Sequence, residues 1–158
     1  MYCLLLQYIL SRNRMGHGPN EKGMIMMACA EKFGAGAVRN ILRHNRREIE
    51  HSSNHDIDPK RLERDYILSP DRGMTEYDYF LQRKSELYCY NRDDVKVMAG
   101  WIVTAPQDLD PERYDVFFCA TYDFLANRYG EENVVQAIVH DDEGGQPHLH
   151  FCFIPVEE

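Results

Sequence analysis

The strongest constraint on the fold of this chain is a pair of β-type apolar runs near its C-terminal end, separated by a short turn sequence. The runs are NVVQAIVH at 133–140 and HLHFCFIP at 148–155, and the linker DDEGGQP holds the Gly-Gly and Pro residues that favour a hairpin. Pro147 also restricts Gln146 to extended conformations, which suits the start of a strand. The pattern predicts an antiparallel hairpin.

Side-chain alternation along a strand divides the second run into two faces. His148 and His150 share one face. The other face carries three apolar residues that are predicted to enter the core: Leu149, Phe151 and Phe153. Pairing within the hairpin places His140, at the end of the first run, beside both histidines, so three imidazoles are expected to converge.

Three converging imidazoles can bind a metal ion and leave coordination positions open for a substrate oxygen and water, whereas a structural zinc site normally has four ligands. Imidazole favours manganese, iron, nickel or zinc over magnesium or calcium. The linker residues Asp141, Asp142 and Glu143 are predicted to orient the imidazoles by accepting their free N–H groups. The same pattern also fits an unrelated three-histidine hydrolase or oxygenase, and a half-polar strand face without metal.

The rest of the chain alternates strands and helices around this hairpin. Strands are expected at 24–33, at the end of the polar segment 51–68 and at 100–104, and helices at 38–50, 75–90 and from Asp110 to Gly130. The order β, α, β, α, β, α, β, β with short connections predicts an α+β fold. We expect a mainly antiparallel sheet with the helices packed on one face and the metal site on a central hairpin.

Length and composition place the chain in one soluble domain. It has 158 residues, and no apolar run is long enough to span a bilayer. Five widely spaced cysteines without a CxxC pair fit a reducing cytoplasm. The apolar opening MYCLLLQYIL has its arginines after it, unlike a secretory signal peptide.

The charge is unevenly distributed along the sequence. The net charge is −8, yet residues 1–64 hold 11 Lys and Arg against 7 Asp and Glu, whereas residues 65–158 hold 7 against 19. The basic part is therefore local. Such a distribution permits a polyanion site on an otherwise acidic molecule.

Three segments resemble one family, the plasmid mobilisation relaxases of the MobV or Mob/Pre type, which belong to the HUH (His-hydrophobe-His) endonucleases. The sequence His44-Asn45-Arg46-Arg47 is similar to the family's HNxR motif, HSSNHDIDPKRLERDY at 51–66 to its polar motif ending in Tyr, and HDDEGGQPHLH at 140–150 to its metal motif. The resemblance predicts a relaxase catalytic domain at 24–158, C-terminally truncated, after a non-family extension at 1–23.

The sequence departs from the family's pattern at two positions. It has one additional residue between Glu143 and His148, which changes only the length of the loop. Asp65 stands where the family commonly has Asn before the tyrosine of the second motif, which is expected to alter DNA contacts.

The resemblance implies metal-dependent, site-specific and strand-specific nicking and rejoining of single-stranded DNA at a plasmid transfer origin in the bacterial cytoplasm. The expected ligands of Mn²⁺, or of Mg²⁺, are His140, His148 and His150. His44 matches the family's nucleophile and would form a covalent phospho-histidine intermediate, with Tyr66 as the rival nucleophile.

The remaining candidate residues have supporting roles. Arg47 is expected to share a helical face with His44 and to bind a phosphate oxygen bidentately, and Glu143 to act as a base. The candidate DNA contacts are as follows: Asn45, Arg43, Arg46, Arg61, Arg64 and Tyr66.

The alternative function is a truncated protein that binds origin or promoter DNA without cleaving it. Metal-dependent strand breakage and a covalent protein–DNA adduct distinguish the two functions. No stable membrane insertion is expected. A monomer is expected because the family's dimerisation region lies beyond the third motif.

Overall fold

A computed structural model describes residues 28–49, 55–90 and 92–156. The strands are β1 (Ala28–Gly34), β2 (Tyr66–Ile67), β3 (Lys96–Thr104), β4 (Val134–His140) and β5 (His148–Phe153), and the helices are α1 (Ala35–Asn45), α2 (Glu76–Ser85) and α3 (Tyr114–Tyr129). The strands form one sheet in the order β1-β3-β5-β4-β2, in which every neighbouring pair is antiparallel. The α+β class, the antiparallel sheet and the predicted order of elements are confirmed.

The hairpin of β4 and β5 lies at the centre of the sheet, as predicted. β5 pairs with β3 on one side and with β4 on the other, and His140 stands opposite His148. Neither strand of the hairpin is an edge strand, although β2 pairs only with Ile138 and Val139 of β4. The histidines are therefore carried by the central strands of the sheet.

The helices pack on both faces of the sheet, which differs from the prediction of one face. Helix α3 covers a core that includes Leu149, Phe151 and Phe153, as expected for that face. Helices α1 and α2 cover a second core on the opposite face, which includes Cys152 and Ile154 of the same chain segment. The physical reason is that both faces of the central strands carry apolar side chains, and both must be covered.

Local sequence signals determine where the helices begin and end. Thr75 caps α2 by accepting a hydrogen bond from the Asp78 N–H at 3.1 Å. Asp110 also acts as a cap, but the turn that it begins, Pro111–Arg113, is a 3₁₀ helix, and α3 starts only at Tyr114. Gly130 ends α3 with φ of 86°, a left-handed conformation that glycine adopts readily.

Helix α1 ends five residues before its predicted end at residue 50. Arg46 is the last residue with helical backbone angles, and Arg47 has φ of 59°. Arg47 is the non-glycine residue with positive φ in the described part of the chain. The chain therefore turns away from the helix axis at Arg47.

Some sequence expectations fall on residues that the structure does not describe. The predicted extension 1–23, residues 24–27 of the first strand and residues 51–54 of the second motif lie outside the described residues. Within the described ranges, no helix combines the length and apolarity that a bilayer crossing requires.

Candidate metal centre and active site

Three imidazoles from β4 and β5 converge on the face of the sheet that α1 covers. The ring centroids of His140 and His148 are 5.4 Å apart, those of His140 and His150 4.7 Å, and those of His148 and His150 5.0 Å. One potential ligand atom from each ring lies within 4.8 Å of the others. The predicted convergence is confirmed by this geometry.

Burial keeps two of these imidazoles neutral. Desolvation, followed by the nearby Arg47 guanidinium, lowers the pKa of His140 to about 4. Desolvation, followed by the other two histidines, lowers the pKa of His150 to about 2. A metal ligand must offer a nitrogen lone pair, so neutral imidazoles fit a divalent transition metal.

Arg47 forms the centre of an ion-pair network beside the histidines. Its Nε and Nη2 donate to the two carboxylate oxygens of Asp142 at 2.7 and 2.6 Å, and Nη2 also donates to Glu143 Oε1 at 2.7 Å. Asp142 is completely buried. Burial alone would raise the pKa of Asp142, but the hydrogen bonds from Arg47 hold it below its usual value.

The position of Arg47 corrects one expectation. Arg47 follows the end of α1 and is not part of the helical face that carries His44. It reaches the three histidines because its left-handed backbone turns the side chain toward the 141–147 linker. One edge of its guanidinium is already bound to Asp142, so only the remaining donors can face a phosphate without breaking this pair.

His140 is oriented by the backbone and by Arg47. His140 Nε2 lies 2.8 Å from the carbonyl oxygen of Asn45, and Nδ1 lies 3.1 Å from Arg47 Nη2. Because a carbonyl only accepts, Nε2 carries the proton and Nδ1 of the neutral ring offers its lone pair. The expectation that a linker carboxylate orients this ring is wrong, since arginines bind those carboxylates.

A buried amide pair anchors the end of α1 to the sheet. Asn45 Nδ2 donates to Gln136 Oε1 at 3.0 Å, and Gln136 Nε2 donates to the Leu42 carbonyl at 3.0 Å. Sequence reasoning placed Asn45 among the DNA contacts, but it is 3% exposed and occupied by these interior bonds. Gln136 was missed, and its only signal was a polar residue within the apolar run VVQAIV.

The linker between β4 and β5 is held by Arg61. The Arg61 guanidinium donates to Asp141 Oδ1 at 2.6 Å and to the Glu143 carbonyl at 3.0 Å. A further backbone bond joins the Asp58 N–H to the Asp142 carbonyl at 2.7 Å. The second motif therefore supports the linker that carries Glu143.

The chain is similar to known proteins in both sequence and structure. The family model of the Mob/Pre plasmid recombination enzymes matches residues 23–158. The chain belongs to this family. A plasmid recombination enzyme from Streptococcus agalactiae is 33% identical over 141 residues, which cover 84% of this chain and 28% of the relative.

Other Mob/Pre proteins give the same result. The type 1 plasmid recombination enzyme of Staphylococcus aureus is 33% identical over 141 residues, with 84% of this chain and 34% of the relative covered. The chain thus spans about a third or less of the length of these curated Mob/Pre relatives.

Solved structures of a Mob/Pre relaxase domain share the fold. The MobM relaxase domain, in a Mn-bound crystal structure with plasmid pMV158 oriT DNA, has a TM-score of 0.71 and 33% identity, covering 84% of this chain and 71% of that one. The same domain bound to 26-nucleotide oriT DNA gives a TM-score of 0.60 at 27% identity. The prediction of a MobV-type relaxase fold is confirmed.

In this Mob/Pre chain the predicted catalytic residues gather at one corner. His44 is half-buried near the end of α1, close enough to His150 to lower the pKa of that ring. Glu143 Oε2 lies 3.9 Å from His148 Nε2 while its other oxygen binds Arg47. The corner therefore combines imidazoles, a guanidinium and a carboxylate.

The predicted DNA contacts separate into two groups. Arg43, Arg46 and Arg64 are exposed at the surface, with Arg46 paired to Glu76. Arg61 and Asn45 instead make the internal contacts described above.

Tyr66 lies on the opposite face of the sheet from the histidines. It pairs with Val139 and packs against the core under α3. Burial, followed by Cys119 and Asp115 of α3, raises the pKa of Tyr66 to about 12. The structure does not bring this phenol to the site.

Proposed function

We propose that residues 24–158 form the catalytic domain of a cytoplasmic bacterial relaxase. It nicks and rejoins one DNA strand at a plasmid transfer origin. The observation that carries this proposal is the corner where three imidazoles, His44 and the Arg47–Glu143 pair meet. Binding of oriT DNA and Mn by the MobM relaxase domain, whose fold this chain shares, supports it.

The three histidines are proposed to hold a divalent metal ion, preferably Mn²⁺. When bound, such an ion polarises a phosphate and stabilises the negative charge that develops on its oxygens. His140 would use Nδ1, because its Nε2 hydrogen bonds to the Asn45 carbonyl. Arg47 Nη2 lies 3.1 Å from Nδ1 and already donates to Asp142 and Glu143, so it would move aside when an ion binds at Nδ1.

His44 is proposed as the nucleophile. A lone pair on its imidazole attacks the scissile phosphorus, a phosphorus–nitrogen bond forms, and the phosphorus–oxygen bond to the leaving strand breaks. The leaving oxygen takes up a proton from water, and the imidazole loses its ring proton to Glu143. Attack by a strand hydroxyl on the phospho-histidine reverses these steps and rejoins the DNA.

Arg47 is proposed to position the phosphate rather than to transfer protons. Its contacts with Asp142 and Glu143 fix the guanidinium beside the histidines. Donors not bound to Asp142 would contact a phosphate oxygen. The arginine thereby connects substrate position to the carboxylate that accepts the proton.

The test uses supercoiled plasmid carrying the DNA upstream of the chain's own gene. Mn²⁺ should give relaxed plasmid and a protein-bound DNA end, and EDTA or His44→Ala should abolish both. His55→Ala, at an exposed histidine outside the cluster, serves as the matched control and should retain activity. Full activity of His44→Ala, or DNA binding without any nicking by the unmodified chain, would contradict the proposal.

A further inference from the structure

A groove adjoins the catalytic corner between the end of α1 and the edge strand β2. We call it the β2 groove; it has a volume of about 290 Å³ and is lined by Arg46, Arg47, Leu62, Asp65, Ile67 and Ile138. Arg47 belongs to both the groove and the catalytic corner. A strand whose phosphate lies beside Arg47 therefore has this groove next to it.

The groove presents two exposed apolar side chains to solvent. Leu62 is 39% exposed and Ile67 46% exposed. Ile67 stands opposite Ile138, and Ile138 stands opposite His150, so these side chains share the histidine face of the sheet. Covering this exposed aliphatic surface with a flat apolar ligand is favourable, because it removes apolar area from water.

The charges around the groove favour an uncharged occupant. Arg46 is paired with Glu76, and Arg47 is paired with Asp142 and Glu143. Because Arg46 already has a carboxylate partner and the Asp65 carboxylate also lines the groove, a phosphate there would meet little unbalanced positive charge. The planar guanidinium of Arg46 can instead lie against a ring.

The groove continues away from the corner. A second cavity, of about 380 Å³, shares Arg46 and Ile67 with it and extends to Met74 and Tyr79. Met74 is 45% exposed, and the Arg72 guanidinium lies 3.9 Å from the centroid of the Tyr79 ring. Asp71 and Glu76 also line this second cavity, so the continuation is a mixed polar and apolar surface.

We propose that the β2 groove binds an unpaired nucleobase next to the scissile phosphate. Ile67 and Leu62 contact one face of the base, and the guanidinium of Arg46 stacks against the base. This subsite rests on the proposed function, since it requires a single DNA strand in the catalytic corner. Stacking of this kind accepts every base, so the groove positions the strand and does not read its sequence.

The test measures whether Ile67 interacts with bases or with the backbone of the strand. The probes are a fluorescein-labelled dT 12-mer and an abasic 12-mer of the same length, in Mn²⁺. Ile67→Ser should weaken binding of the dT strand about tenfold and leave binding of the abasic strand unchanged, because the substitution removes apolar surface that the base would cover. Val116→Ser, at an exposed aliphatic residue of α3, should change neither affinity.

Several outcomes would overturn the subsite. Equal losses of affinity for the two strands would show a structural effect, and the unmodified chain binding both strands equally would show that bases contribute nothing. Ile67→Leu should restore binding of the dT strand, and unchanged Mn²⁺ affinity of Ile67→Ser would show that it folds. If the chain nicks plasmid but Ile67→Ser does not selectively weaken binding of the dT strand, the subsite alone is rejected. If Ile67→Ser selectively weakens binding of the dT strand but the chain does not nick plasmid, the proposed catalysis alone is rejected.

Discussion

Asp65 has two carboxylate oxygens in unequal surroundings. One oxygen accepts the Asp141 N–H at 2.8 Å, whereas the other is buried without a hydrogen-bond partner among the described residues and lies 3.9 Å from Arg47 Nε. Burial, followed by the proximity of Asp142, raises the pKa of Asp65 to about 6. Ionisation of Asp65 therefore costs free energy in the folded state.

Replacement of Asp65 by Asn should stabilise the protein at neutral and alkaline pH. The pKa of Asp65 in the folded state lies above the ordinary aspartate value of 3.8, so the unmodified protein loses stability as the pH rises from about 4 through about 6. Asp65→Asn should increase the free energy of unfolding by about 1–2 kcal/mol near pH 8, with little difference near pH 4. Urea denaturation in EDTA at both pH values measures this.

The exposed Asp93 provides the control for this substitution. Asp93→Asn should leave the free energy of unfolding nearly unchanged at both pH values. A stabilisation by Asp65→Asn that is the same at both pH values would contradict the titration of Asp65.

The histidines should divide into ligands and nucleophile. His148→Ala should abolish Mn²⁺ binding, because it removes one of three imidazoles that converge within the ligand distances given above. His44→Ala should retain it, because His44 comes from α1 and contributes to a different step. Calorimetric titration with Mn²⁺ measures both, and equal affinity of the two variants would reject this division of roles.

At the level of elements, the ends of the helices are sensitive to single side chains. Gly130 has φ of 86°, and an added Cβ would lie 2.8 Å from Asn133 Nδ2. Gly130→Ala should lower the free energy of unfolding by about 1–2 kcal/mol. Gly36→Ala in α1, where nothing lies within 4 Å of the added Cβ, should raise it by up to about 1 kcal/mol.

Urea denaturation at neutral pH compares these two glycine variants directly. They introduce the same methyl group, so opposite signs isolate the effect of backbone conformation. A loss of stability in Gly36→Ala equal to that in Gly130→Ala would contradict this account.

The order of elements could be predicted from sequence because each strand and helix has its own apolar periodicity. The three imidazoles could be predicted because the hairpin fixes their register. The end of α1 could not, since the left-handed turn at Arg47 depends on Asp142 and Glu143, which lie about 95 residues later in the chain. Packing on both faces was missed because the histidine face looked polar, although Cys152 and Ile154 on it are buried.

For the whole molecule, the acidic net charge makes DNA binding depend on a few exposed arginines. Arg64 has a side chain that is 57% exposed and lies 3.9 Å from Asp141, whereas Arg61 is bound to Asp141 at 2.6 Å. Affinity for the dT 12-mer should fall steeply with salt, and Arg64→Gln should reduce the slope of log affinity against log salt by about 0.7. Fluorescence anisotropy across a salt series measures this slope.

A neighbouring exposed carboxylate supplies the comparison. Glu63→Gln should leave the slope nearly unchanged, because a carboxylate releases no counterion from DNA. If affinity did not depend on salt, the basic segment would not be the binding surface.

The alternation of β2 keeps the Tyr66 phenol off the face with the histidines by a single residue. Tyr66, Val139 and Leu149 stand in register on the core face, while Ile67, Ile138 and His150 stand in register on the face with the histidines. A deletion of one residue before β2 that shifted its register would turn the phenol toward the imidazoles and the isoleucine toward the core. Variants with one residue deleted before β2 would therefore test whether Tyr66 can act as the nucleophile once it faces the histidines, without any new side chain in the site.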